Sequence, residues 1–142
     1  RLDLQDEIKA IQEHTGKTIV FVTHDIDEAI KMGDRIAVMD GGKVIQYAPP
    51  EEILSRPANM FVDRLIGTGD RPFRYLSLRG VGDLVEQGEA SGAPIARDAS
   101  RRDALAELLW SGRDTAPVAD SGGTTLGIIR RARLIAEAAR PA

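Results

Sequence analysis

The 142-residue sequence predicts an α/β chain built as two successive units. Three observations lead there. The run Thr18-Ile-Val-Phe-Val22 is β-branched and aromatic without polar alternation, which suits a strand buried on both faces beneath flanking helices. In the second half, Thr115 to Ala119 and Thr125 to Ile129 read as strands that follow a helical leucine pattern. Basic-residue usage also changes: Lys9, Lys17, Lys31 and Lys43 account for all lysines, and every basic residue beyond position 70 is arginine. Residues 1–69 carry eight basic and twelve acidic side chains, residues 70–142 eleven and ten, so the balance moves from −4 to +1. Glycines and a proline in Gly67-Thr-Gly-Asp-Arg-Pro72 favour a break in regular structure, which sets the units at 1–69 and 70–142.

Taken in order, Leu4, Ile8 and Ile11 form one apolar stripe of a helix that Gly16 ends. The Thr18–Val22 strand follows, with Thr23-His24-Asp25 at its C-terminal end. Asp25 and Glu28 have the spacing of a capping box that opens a short helix through Ile26, Ala29 and Ile30, stopped at Gly33. Arg35 to Met39 and Lys43 to Tyr47 flank Asp40-Gly41-Gly42, a hairpin signal because glycine accepts positive φ. Pro49 and Pro50 open a helix around Glu51 to Leu54, Pro57 breaks it, and Phe61, Leu65 and Ile66 line another. In the second unit Leu76, Leu78, Val81, Leu84 and Val85 are a mixed apolar stretch ending in a short helix, and residues 86–93 are a loop. Leu105, Leu108 and Leu109 mark a helix closed by Gly112, the two strands are joined through Asp120-Ser-Gly-Gly123, and Ala132 to Ala139 is the last helix.

Composition narrows the classes. With 42% hydrophobic and 29% charged residues the chain is ordinary globular material, and with 4% aromatics its core must come from Ile, Leu, Val and Ala. It holds no cysteine, which excludes a disulfide framework and cysteine-based zinc or redox chemistry. A net charge of −3 disfavours non-specific nucleic-acid binding. The longest apolar run is far short of the ~20 residues that cross a bilayer.

The stretch Thr18-Ile-Val-Phe-Val-Thr-His-Asp-Ile-Asp-Glu-Ala-Ile-Lys-Met-Gly-Asp-Arg-Ile-Ala-Val-Met39 resembles the H-loop region of ABC-transporter ATPases. Asp40-Gly-Gly-Lys43, Gln46, Pro50-Glu-Glu-Ile53, Arg56-Pro-Ala-Asn59 and Phe61-Val62 continue the likeness, and Arg1-Leu-Asp-Leu-Gln-Asp-Glu7 is similar to the helix just past the D-loop. The likeness runs over residues 1–67 and is nearest to importer subunits for glycine betaine, proline and other quaternary amines. It implies the end of a P-loop ATPase domain, a three-layer sheet with helices. It also implies that His24 is the catalytic switch histidine, donating a hydrogen bond toward the γ-phosphate from a strand end. Ligands of open α/β sheets gather at such ends. An isolated histidine there would be read as a strand cap; the surrounding pattern favours the catalytic reading. His14, on the first helix, is a solvated residue, and Asp25 and Glu28 are caps. The Walker A loop, Q-loop, signature, Walker B acid, catalytic glutamate and D-loop are absent from these residues and are expected before Arg1. The fragment alone is therefore expected to bind no cofactor and to be inactive, the intact parent needing ATP and Mg2+.

From Tyr75 onward the chain resembles one CBS module, a small α/β unit. The carriers are Leu78, Val81, Asp83-Leu-Val85, Pro94-Ile95, Asp103-Ala-Leu105, Leu108-Leu109, Ser111-Gly112, Ala116-Pro-Val118, Asp120, Gly122 and Leu126-Gly-Ile-Ile129. Such modules pair and often hold adenine nucleotides. Where they place ribose-contacting Thr or Ser and Asp, this chain has Arg130 and Arg133, whose guanidinium groups only donate. Ordinary AMP or ATP contacts are thus disfavoured. Arg130, Arg131 and Arg133 either grip an anion, a phosphate or an anionic membrane surface, or form a solvated basic helix start. Trp110, the only tryptophan, is expected in a core or interface. No metal site is expected. Leu105, Leu108, Leu109, Leu134 and Ile135 are expected to need a second copy of the tail to cover them.

Together the likenesses imply the C-terminal portion of the ATP-hydrolysing subunit of an osmoprotectant importer with a regulatory or dimerising CBS tail. Its expected partners are a second ATPase subunit, a membrane permease and, indirectly, a solute-binding protein. Its expected place is the cytoplasmic face of the cell membrane. The alternative is a stand-alone CBS-type regulatory module with a vestigial ATPase remnant.

Overall fold

The computed structural model describes residues 2–139, so Arg1 and the C-terminal end of the sequence lie outside the described residues, as does the Asp3 side chain. The first helix, α1 (Leu2–Thr15), ends where Gly16 turns to φ 65°. It is followed by α2 (Ile26–Met32), then a hairpin of β1 (Ile36–Asp40) and β2 (Lys43–Ala48). Gly41 and Gly42 take φ 56° and 77°, the paired positive values a two-residue turn needs to match strand twist. Asp40 accordingly faces Lys43, and one irregularity between Val38 and Met39 carries the register on to Ile36 opposite Ala48.

Helix α3 (Pro50–Ser55) begins on Pro50, as proline in a first turn allows. Asn59 caps α4 (Met60–Ile66), its Oδ1 accepting from the Val62 amide at 3.0 Å. Gln46 on β2 braces the turn between these helices: its amide donates to the Arg56 carbonyl at 3.0 Å and accepts from the Ala58 amide at 2.9 Å. Ile30, Ile36, Val38, Ala48, Ile53, Leu54, Val62 and Ile66 form the buried cluster of this half. On α4 it is Val62 and Ile66 that go inward, leaving Phe61 and Leu65 exposed.

Helix α5 (Arg71–Leu76) crosses from one half to the other. Tyr75 packs against the first cluster and Leu76 belongs to the second. A 3-10 turn at Gly82–Leu84 leads to β3 (Ile95–Ala96), and α6 (Arg101–Ser111) then carries the chain over to β4 (Thr115–Ala119), parallel to β3. Antiparallel β5 (Thr125–Arg130) and α7 (Arg131–Glu137) complete the unit. Helix α6 ends at a left-handed Gly112, as expected, and starts at a Ser100 cap whose Oγ accepts from the Asp103 amide at 3.0 Å. The far edge of β5 is paired by Glu86, whose amide and carbonyl bond Ile128 at 3.0 and 2.9 Å. That approach explains Gly127: at φ 149°, any side chain there would collide with the Glu86 carbonyl.

Three expectations are corrected. Residues 18–22 form no strand, and Val20 and Val22 are 86% and 90% exposed. An extended segment becomes a strand only when neighbours accept its ladder bonds, and no described strand lies alongside. The α1 stripe is likewise uncovered, Leu4 and Ile11 both being exposed. In the second unit Leu105, Leu108 and Leu134 are buried within one chain, so covering them requires no second copy. Leu109 and Ile135 remain about half exposed at 52% and 53%, and Trp110, at 93%, is no core residue.

Candidate functional site

His24 lies at the end of the extended segment, one residue before the cap of α2, and its side chain is exposed. The backbone around it is held by its neighbours. Asp25 Oδ1 accepts from the amides of Asp27 and Glu28 at 2.8 and 3.2 Å, satisfying two donors that the helix itself leaves free. Glu28 does not return to the Asp25 amide as a full capping box would. It accepts instead from Thr23 Oγ1 at 2.7 Å, and Thr23 Oγ1 accepts from the Asp25 amide at 3.0 Å. The box is thus closed through the threonine hydroxyl, and residues 23 and 25 are pinned on either side of the histidine. Glu28 also accepts from Gln5 on α1 at 3.3 Å, and Lys31 pairs with Asp6 at 3.6 Å, so polar contacts link α1 to α2.

The far end of this arrangement is Arg74 on α5. Its Nε and Nη2 reach the Asp27 carboxylate at 2.8 and 3.4 Å, and its Nη1 donates to the Ile66 carbonyl at the end of α4. Hydrogen bonding to Arg74 holds the Asp27 carboxyl below its ordinary value, outweighing the opposing effect of burial. The Arg74 guanidinium is raised by the same bond. Neither Arg74 nor Asp27 is marked by any sequence motif; the two are joined only in space.

Arg130 and Arg133 do not converge. Arg130 pairs with Glu86, Arg131 with Asp114, and Arg133 with Glu137 at 3.3 Å. An open depression of about 310 Å³ is lined by Asp114, Thr115, Arg130, Arg131, Ala132 and Ile135, and not by Arg133. Glu137 is further engaged by buried Arg101, which donates to it at 2.9 Å and to the Gly80 carbonyl at 3.0 Å. An anion binding at Arg130 and Arg131 would have to compete with the carboxylates of Glu86 and Asp114. His14 is exposed in the last turn of α1, apart from His24.

The described residues contain no group of three or more His, Asp or Glu side chains arranged to hold a metal ion, and no helix long and apolar enough to cross a membrane. For a nucleotide triphosphate with its magnesium, the fitting feature is one exposed imidazole on a firmly capped loop; a glycine-rich phosphate cradle is not part of this sequence. An exposed imidazole in this position can donate one hydrogen bond to an anionic oxygen.

No protein-family profile matches the chain. Individual proteins do. It is 40% identical over 136 residues, 95% of its length, to the glycine betaine uptake system ATP-binding protein YehX of Escherichia coli. It is 39% identical over 129 residues, 91% of its length, to the carnitine transport ATP-binding protein OpuCA of Listeria monocytogenes. Over 67 residues, 47% of its length and 18% of the relative, it is 55% identical to the spermidine/putrescine import ATP-binding protein PotA 1 of Pseudomonas aeruginosa. The chain spans 44% and 32% of the first two relatives. Likeness to YehX over both halves of an α/β chain, with the Thr-His-Asp segment seated at the cap of α2, carries the conclusion that the chain is similar to part of the ATP-binding subunits of ABC transporters.

Proposed function

We propose that this chain is the C-terminal portion of the ATP-hydrolysing subunit of an ABC importer for osmoprotectants such as glycine betaine or proline. The observation that carries the reading is the 95% coverage of the chain by a glycine betaine uptake protein, a match that continues through the tail. The carnitine relative also extends through it, at 91% coverage. Residues 1–69 are then the end of the ATPase domain and residues 70–142 a single CBS-like module. The stand-alone regulatory reading is not favoured, because the likeness runs across both units. In the intact subunit ATP and Mg2+ occupy a site completed by other residues, two such subunits pair, and they dock on a membrane permease at the cytoplasmic face. A solute-binding protein delivers the solute.

In this reading His24 donates to the γ-phosphate and helps hold the attacking water. Charge on the phosphoryl oxygens is stabilised by such preoriented donors. Replacing His24 by Ala in the intact subunit should lower ATP turnover about a hundred- to a thousand-fold, the usual cost of one oriented donor, with nucleotide binding retained. Equal turnover in both proteins would refute the assignment. In the tail, Arg130 and Arg133 are the proposed anion contacts, each open to an anion only in competition with its carboxylate partner, Glu86 or Glu137.

A further inference from the structure

We infer that Arg74 is a positioning residue for His24, tying the helix that follows the histidine to the first helix of the second unit. The inference rests on the reading of His24 given above. Helix α2 has seven residues and is seated on the core by buried Ile30 with part-buried Ile26 and Ala29 beside it. Its first turn has a second anchor in Asp27, gripped by two nitrogens of Arg74 from a position 47 residues away. The Arg74 side chain is only 13% exposed, and the same guanidinium also binds the Ile66 carbonyl, an end-of-helix acceptor without an intrahelical partner. Asp70 lies 3.9 Å from it, on the same helix face. One planar fork therefore joins α2, the end of α4 and α5, a task that the point charge of lysine cannot perform.

The link reaches His24 through the cap. Asp25 bonds the Asp27 amide, and Thr23 bonds Asp25 and Glu28, so residues 23–28 form one hydrogen-bonded piece with His24 inside it. A shift of α5 is passed to Asp27, to the cap, and to the imidazole beside it. The second unit thereby gains a physical route to the histidine without touching it.

The test has two arms. In the 142-residue chain, nuclear magnetic resonance follows the His24 ring and the exchange of the Ala29 amide in wild type, Arg74→Lys, Arg74→Ala, Asp27→Ala and the double alanine variant. Circular dichroism checks that each is folded. Each single substitution should move the His24 resonance and speed Ala29 exchange about tenfold, the equivalent of one charge-assisted hydrogen bond, and the double variant should add nothing. In the intact subunit Arg74→Ala and Asp27→Ala should each lower kcat about tenfold or more with KM for MgATP unchanged, again without additivity, and Arg74→Lys should not restore it. An unmoved His24 resonance in folded Arg74→Ala, or additive effects, overturns the inference. If the resonance responds while His24→Ala leaves turnover intact, the positioning stands and the catalytic reading of His24 falls.

Discussion

Asp27 and Arg74 form an ion pair whose contribution depends on pH. The Asp27 carboxyl is depressed below 3.8 in the folded chain by the Arg74 hydrogen bond. A depressed carboxyl stabilises the fold fully above its unfolded value and loses that contribution as pH falls through the folded one. Asp27→Asn should therefore destabilise the chain at pH 7, and the difference from wild type should vanish in acid below that window. Because the Asp27 side chain is 62% exposed, solvent screening keeps the effect at about 0.3–1 kcal/mol. Urea titrations in a series from pH 7 down through the acid range read it directly, and a gap that stays unchanged as the pH falls would contradict it. Arg79 and Glu51 make a similar pair at 2.8 Å between the second unit and α3. Both pairs join residues far apart in sequence, so no local pattern announces them. The cap at Asp25, by contrast, is visible as spacing alone.

At the scale of elements, several helices carry local punctuation. Asp25, Asn59 and Ser100 cap them, Pro50 starts one, and Gly112 ends another. Substituting Asn59 by Ala should cost about 1 kcal/mol by thermal or chemical denaturation, since the Val62 amide is left without its partner. Gly127 makes a stronger prediction. Gly127→Ala forces a methyl group against the Glu86 carbonyl and an unfavourable positive φ, so the Glu86–Ile128 pairing should open at about 1–3 kcal/mol. Faster amide exchange at Glu86 and Ile128, with α6 protected as before, would be the signature. Strand β3, two residues long, was not recognisable as a strand from the sequence, where Pro94-Ile95 has too little length for any periodicity. Its existence depends on β4 beside it. The 18–22 segment is the converse case, strongly strand-like in composition and unpaired in the described fold.

For the whole molecule, two buried clusters meet across α5, with Tyr75 packed against one and Leu76 inside the other. The tail closes its own core, leaving Leu109 and Ile135 exposed on α6 and α7, two helices packed against each other. If two tails pair by two-fold symmetry through the surface that remains uncovered, these residues belong in the contact. Leu109→Glu with Ile135→Glu should then raise the dissociation constant of the 142-residue chain at least about tenfold, measured by light scattering across a concentration series. An unchanged monomer–dimer equilibrium would move the contact elsewhere, the uncovered Leu4, Ile11 and Phe21 being available for it.

The α/β class, the Asp40-Gly-Gly hairpin, the capped helices and the Thr-His-Asp segment were determined by the sequence itself, because each depends on interactions within a few residues. Glycine's positive φ, a cap's short reach and proline's missing donor act locally and leave a readable spacing. Tertiary structure alone decided the rest: that Thr18 to Val22 stays unpaired, that Leu105, Leu108 and Leu134 are covered in one chain, that Arg130 and Arg133 face separate carboxylates, and that Arg74 reaches Asp27. Those outcomes depend on which distant groups arrive to accept a hydrogen bond, share a charge or exclude water. No spacing along the chain encodes that arrival.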